Sequence, residues 1–95
     1  EIDHNCQHMR SIALNAEGTR LATSTYRPRT DKSEEHGEIS LFDTATGRIV
    51  WQRKLHGDRA GGLAWSPDGK RLACNGWSSF EILNAEDGRS LLLYD

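Results

Sequence analysis

Three residues near the start have the types and spacing of a metal site. His4, Cys6 and His8 alternate along the chain, so an extended strand would turn all three to one face. Imidazole and thiolate are good ligands for zinc or copper. Same-face neighbours on a strand stand about 7 Å apart, which strains three ligands around one ion. No second ligand pair stands at zinc-finger spacing, so the stretch is read as ordinary tail or strand, with no metal assigned. Gly57–Gly62 is glycine-rich. A phosphate cradle of the GxxxxGK(S/T) type needs a helix N-terminus behind it, whereas a strand pattern follows here, so this stretch is read as a crossover. Glu34 and Glu35 are adjacent and point apart in an extended loop, which leaves no acid–base pair fixed by spacing. No G-x-S-x-G elbow is present. The expectation is a protein that is not an enzyme and holds no cofactor.

The elements that would position side chains are short strands joined by tight turns. Leu63–Leu72 holds two alternating runs around Ser66-Pro67-Asp68-Gly69. Ser66 suits the first place of a type I turn, Pro67 pre-sets φ at the second, and Asp68 suits the third. Gly69 takes the left-handed place that closes a bulged hairpin. Leu63 and Trp65 before the turn, and Leu72 and Cys74 after it, have the period of two expected of strands. The pattern occurs twice: Ile12–Ala22 aligns with Leu63–Ala73, 51 residues on, and Asp43–Arg48 aligns with Asn84–Arg89, 41 residues on. The first copy therefore carries a 10-residue insertion. A repeat of about 40 residues with four strands is the signature of a propeller blade.

These residues resemble the WD-repeat propeller family. The likeness lies in Ser66–Ala73 followed by Phe80–Arg89, and in Gly37–Arg48 of the first copy; it covers Met9 to the end. The namesake dipeptide reads Phe42-Asp43 in one copy and Leu83-Asn84 in the other. Trp65–Gly69 is also similar to the TolB-type repeat, and Ala45–Leu55 to quinoprotein repeats. All three imply one all-β architecture: two four-stranded antiparallel β-propeller blades. WD-repeat blades carry a hydrogen-bonded network of His, Ser or Thr, Asp and Trp. The resemblance puts His56, Cys74, Trp77 and Leu83 in those places in copy two, where the His alone matches. In copy one His8 is a loose match, Thr23 fits, Phe42 replaces the Trp, and no Asp is assigned. The network's stabilisation is not expected here. The family's geometry also brings second-to-third-strand loops and inter-blade crossovers to one rim. That implies Tyr26, Arg27, Arg29, Lys32 and His36 of a polar loop 26–37 lying near Arg59 and Trp77. Such an aromatic and arginine-bearing rim suits protein recognition. A plain solvated insertion, and a Trp77 folded into the core, stay open beside it.

Ninety-five residues make one small domain's worth of chain. A net charge of −2 gives no electrostatic case for nucleic acid or an anionic membrane. No run approaches the roughly 18 apolar residues of a membrane span, and the first ten residues lack the apolar core of a signal peptide. Two cysteines far apart, Cys6 and Cys74, read as reduced thiols in a cytoplasmic protein. Closed propellers have about 4–8 blades, so two blades imply a piece of a longer chain or a module that closes by self-association. The abrupt start and the end inside an apparent strand favour the piece. Residues 1–8 are expected to end a preceding blade or form a tail, 9–58 to form blade one with the insertion 26–37, and 59–95 to form blade two. Strands are expected at Ser11–Asn15, Arg20–Thr25, Glu38–Asp43, Ile49–Leu55, Leu63–Ser66, Arg71–Asn75, Phe80–Leu83 and Ser90–Tyr94. Leu14, Leu21, Leu41, Trp51, Trp65 and Leu72 are the expected core. The expected role is a non-catalytic scaffold or recognition domain. Its partner would be a protein or further blades, in cis or by homo-oligomerisation. The rivals are an enzyme-associated TolB or quinoprotein propeller, and a self-assembling two-blade module whose residues 1–8 pair with another chain's edge.

Overall fold

The computed structural model describes residues 8–32, 34–56, 61–76 and 79–94. They form two four-stranded antiparallel sheets. Blade one runs β1 (His8–Leu14), β2 (Arg20–Arg27), β3 (His36–Asp43), β4 (Ile49–His56). Blade two runs β5 (Leu63–Trp65), β6 (Arg71–Asn75), β7 (Phe80–Asn84), β8 (Ser90–Tyr94). Each strand pairs with its predecessor, as short connections dictate for antiparallel neighbours.

The turns repeat bond for bond. In the first hairpin of each blade, Gly18 N donates to Asn15 O (3.0 Å) and Gly69 N to Ser66 O (2.9 Å). The turn-opening side chains hold the returning strand: Asn15 Oδ1 accepts from Thr19 N and Arg20 N, and Ser66 Oγ accepts from Arg71 N. In the last hairpin, Gly47 N donates to Asp43 O and Gly88 N to Asn84 O, both at 2.7 Å. All four glycines have φ between 73° and 77°, the left-handed region that a Cβ disfavours. The two turns of each blade are also tied together, Thr44 N to Thr19 O in one and Ala85 N to Lys70 O in the other.

The register puts Ala22, Leu41 and Trp51 on one face of blade one, and Leu63, Leu72, Cys74 and Leu83 on one face of blade two. These faces meet. Ala22, Ile39, Leu41, Leu55, Leu72, Cys74 and Leu83 form one buried cluster, with Trp51, Leu63 and Trp65 packed against it. Removing this apolar area from water is the main force holding sheet on sheet. Among the described strands, the sheets come closest where β5 meets β1 and β2. Farther out, long side chains of β4 span the gap. Trp51 Nε1 donates to Ala85 O (2.8 Å) and Arg53 Nη1 to Gly88 O (2.9 Å). Arg53 Nη2 also stands 3.0 Å from Glu81 Oε2. Trp65 returns the contact, donating Nε1–H to Ala13 O (3.0 Å).

Three expectations are corrected. Leu14 is not core: it is 56% exposed, because it lies on the face of blade one turned away from blade two. Leu21, its cross-strand partner, is half-buried there. The segment 26–37 is not a loop throughout. β2 runs on through Arg27 and β3 starts at His36, with Tyr26 paired to Gly37 and Arg27 to His36. β1 likewise begins at His8 rather than Ser11.

Candidate functional site

The inserted residues build a raised hairpin at one end of blade one, opposite the laced turns. Asn75 aligns with Ser24 and Phe80 with Ile39. Between these points blade two has residues 76–79 and blade one has 25–38. Three of the added residues lengthen β2, three lengthen β3, and the connection keeps residues 28–35. At about 3.3 Å per residue, the ladder is raised by about 10 Å. β4 follows it, with Lys54 opposite Glu38 and His56 opposite His36. β1 follows it too, through a bulge at Arg10 between Met9 and Ser11.

This local geometry fixes the expected site residues. The bulge lays the Arg10 guanidinium 4.9 Å from the centre of the Tyr26 ring, a cation–π contact. The Tyr26 hydroxyl donates to Glu35 Oε1 (2.8 Å). Arg29 Nη2 and Glu34 Oε1 form a 2.6 Å ion pair across the connection. Arg27 Nε lies 3.7 Å from Glu38 Oε1. His36 is 8% exposed, so it is not the open rim residue its polar surroundings suggest. Its Nδ1 donates to the Glu34 carbonyl (3.0 Å) and its Nε2 faces Glu38 Oε2 at 3.4 Å. Lys32 is exposed, with its backbone N–H on Thr30 Oγ1.

Five of the seven expected residues are thus gathered on one hairpin. Arg59 and Trp77 lie outside the described residues, as do His4, Cys6 and the side chains of His8 and His56. The hairpin is not the cationic patch its arginines suggest. On the hairpin Arg27, Arg29 and Lys32 stand with Asp31, Glu34, Glu35 and Glu38, and the flanking strands add Arg10 and Lys54, so the two signs are interspersed. Arg10, Glu34, Glu35 and Glu38, which contact the expected residues, are the members that sequence reasoning missed. Glu38 was legible in principle, being two residues past His36 and hence on its face; the bulge that brings in Arg10 had no local signal.

Elsewhere, Leu83 and Cys74 lie in the apolar cluster between the sheets, so blade two has no Trp or hydroxyl in those network places. Gly61 belongs to a close backbone approach rather than a phosphate cradle. A Cβ there would run into the Asn75 carbonyl, and its own carbonyl accepts from Ser24 Oγ (2.7 Å). Among the described residues, no group of three or more His, Cys, Asp or Glu could hold a metal ion, and no helix is long and apolar enough to cross a membrane. In comparisons with known proteins, no family model matches the chain and no curated protein matches it.

Proposed function

We propose that the chain is a blade pair of a WD-repeat-like propeller and serves as a non-catalytic scaffold for protein recognition, with the raised hairpin as its contact surface. The observation that carries this reading is the unequal build of two otherwise matching blades. Blade two forms its sheet with a short link at residues 76–79, so the added residues of blade one are not a requirement of the blade. They are nevertheless held in a continuous ladder from Thr25 opposite Glu38 to Arg27 opposite His36. A pre-ordered projection loses little conformational entropy on binding. Its surface chemistry, a half-buried Tyr26 beneath the exposed Arg10 with Arg29 exposed nearby, is of the type that dominates protein interfaces. Its interspersed charges of both signs suit a protein partner better than a polyanion.

The test places a photo-crosslinking residue at Arg29 or Lys32, and as a control at Thr46 or Glu86 on the laced turns at the far end. Irradiation in the native cell is followed by mass analysis of the adducts. A discrete protein adduct at the hairpin positions and not at the far turns is expected. Equal adducts at both ends, or none at the hairpin, refute the reading.

A further inference from the structure

The interface inside the chain, read through its own repeat, points to the occupant of the two faces left open. Blade one meets blade two with Ala22, Ile39, Leu41, Trp51 and Arg53. At the same repeat offsets blade two carries Ala73, Phe80, Ile82, Leu92 and Tyr94. Ala73, Ile82 and Leu92 are cross-strand partners, as are Phe80 and Tyr94, so these residues share the face turned away from blade one. Blade two receives blade one on Leu63, Trp65, Leu72, Glu81 and Leu83. Their equivalents are Ile12, Leu14, Leu21, Ser40 and Phe42, all on the open face of blade one, where Ser40 is 7% exposed beneath Gln52, whose Nε2 donates to its hydroxyl at 2.8 Å. Each open face is therefore a copy of one half of an interface that the chain already makes.

The substitutions between the copies are concerted. In the internal interface Arg53 and Glu81 form an ion pair. On the open faces Tyr94 stands in the place of Arg53 and Ser40 in that of Glu81. Both charges are absent together, so docking at this pair of positions leaves neither a lone carboxylate nor a lone guanidinium; Arg71, two residues before Ala73 on the same face, is exposed and lines the groove described next. Shape follows the same rule. Trp65 of blade two reaches across to Ala13. The equivalent of Ala13 is Ala64, which with Ala73, Ile82 and Leu92 lines an open groove of about 590 Å³. The equivalent of Trp65 is Leu14, 56% exposed. Phe80 and Tyr94 close the face with stacked rings 5.3 Å apart.

We infer that the open face of blade two docks head to tail on the open face of blade one of a second copy of this chain, with Leu14 seated over Ala64 and Tyr94 facing Ser40. The inference rests on the propeller-blade reading above. Such a contact is heterologous, so it closes into a ring when the rotation allows; two to four copies would bring the total to between four and eight blades.

The test is the solution mass of the 95-residue chain by light scattering after size exclusion, with circular dichroism on every variant as the check of folding. A discrete oligomer is expected. Leu14→Arg blocks one face and Ile82→Arg the other, so each alone should give monomers with unchanged sheet content. A mixture of the two retains one good face on each chain and should give a one-to-one dimer, an outcome that a self-complementary contact does not produce. Tyr94→Arg and Ser40→Glu should each weaken assembly, and together restore it. A wild-type monomer, an aggregate insensitive to Leu14→Arg, or variants that stay monomeric on mixing overturn the inference. Hairpin adducts from a monomeric chain would sink this proposal and leave the recognition surface standing. A ring without hairpin adducts would do the reverse.

Discussion

Gly47 and Gly88 occupy the same place in the last turn of each blade, with φ of 76° and 77°, yet their surroundings differ. An alanine Cβ at Gly47 meets nothing within 4 Å. The same atom at Gly88 would stand 2.8 Å from Cδ2 and Cε3 of Trp51, which comes from the other sheet. Gly47→Ala therefore reports the left-handed backbone alone, about 1–2 kcal/mol. Gly88→Ala adds an overpacking cost. The indole cannot simply slide, because its Nε1–H is held by Ala85 O at 2.8 Å. Losing that bond costs about 1 kcal/mol net, and forcing extra atoms into packed space about 1–3 kcal/mol. Gly88→Ala should thus exceed Gly47→Ala by about 1–3 kcal/mol.

Removing the indole should remove that excess. Trp51→Leu puts in blade one the residue that blade two carries at Leu92. In that background Gly88→Ala should cost no more than Gly47→Ala, a coupling of about 1–3 kcal/mol between residues of different sheets. Urea unfolding followed by circular dichroism measures all four terms, with midpoints compared at a common slope. Equal costs for the two glycine variants in the wild-type chain would refute the packing of Trp51 on that turn. An excess at Gly88 that survives Trp51→Leu would show that the clash lies elsewhere.

Arg53→Met should be among the most damaging single changes. It leaves Glu81, 2% exposed, without its cation; breaking a buried pair costs about 3–5 kcal/mol, and the partial exposure of Arg53 points to the lower end. Adding Glu81→Leu should recover most of the loss in the same urea series. The Ser66 hydroxyl, with help from the Lys70 backbone N–H, holds the Asp68 carboxyl below its ordinary value. Its contribution is complete above the ordinary carboxylate range and fades as pH falls through the folded value. Ser66→Ala should move the Asp68 titration upward toward the unfolded value in a carboxyl NMR series, and an unmoved titration would contradict the assigned cause. Replacing residues 28–35 by Asn-Gly should leave both sheets intact, within about 1 kcal/mol in a thermal melt, because Arg27 and His36 already pair without it.

The turns were legible because their chemistry is local. Ser66, Pro67, Asp68 and Gly69 each have a reason to be where they are that needs no tertiary partner, and the same holds for Asn15 and Gly18. Which face of a strand is covered was not legible. Leu14 and Trp65 hold the same place in the repeat, and the period of two treats them alike. Trp65 packs because a sheet lies over it, and Leu14 is open because none does. The raised hairpin was misread for a related reason. Tyr26, Arg27, His36 and Gly37 stand in a polar stretch, and polar stretches read as loops, but their strand character is supplied by backbone pairing across β2 and β3. His36 is held between the Glu34 carbonyl of the connection and the Glu38 carboxylate on its own strand, which composition does not reveal.

The donors that cross between the sheets also rank the internal contact above the external one. Trp65, Trp51, Arg53 and Ser24 each send a hydrogen bond to a backbone carbonyl of the other sheet, and a bond to a fixed carbonyl defines how the sheets are placed, whereas apolar contact alone tolerates sliding. At the equivalent places the open faces carry Leu14, Leu92, Tyr94 and Asn75. Two of the four donors have become leucines, so a copy docked there is held by apolar area with fewer fixed points. The internal pair is the better-specified contact; in the docking proposed above, joining the outer faces would be the step governed by concentration. Stabilising the outer contact by Leu14→Trp should therefore raise assembly while leaving unfolding unchanged at concentrations too low for docking, since the new indole meets its carbonyl only in a neighbouring copy.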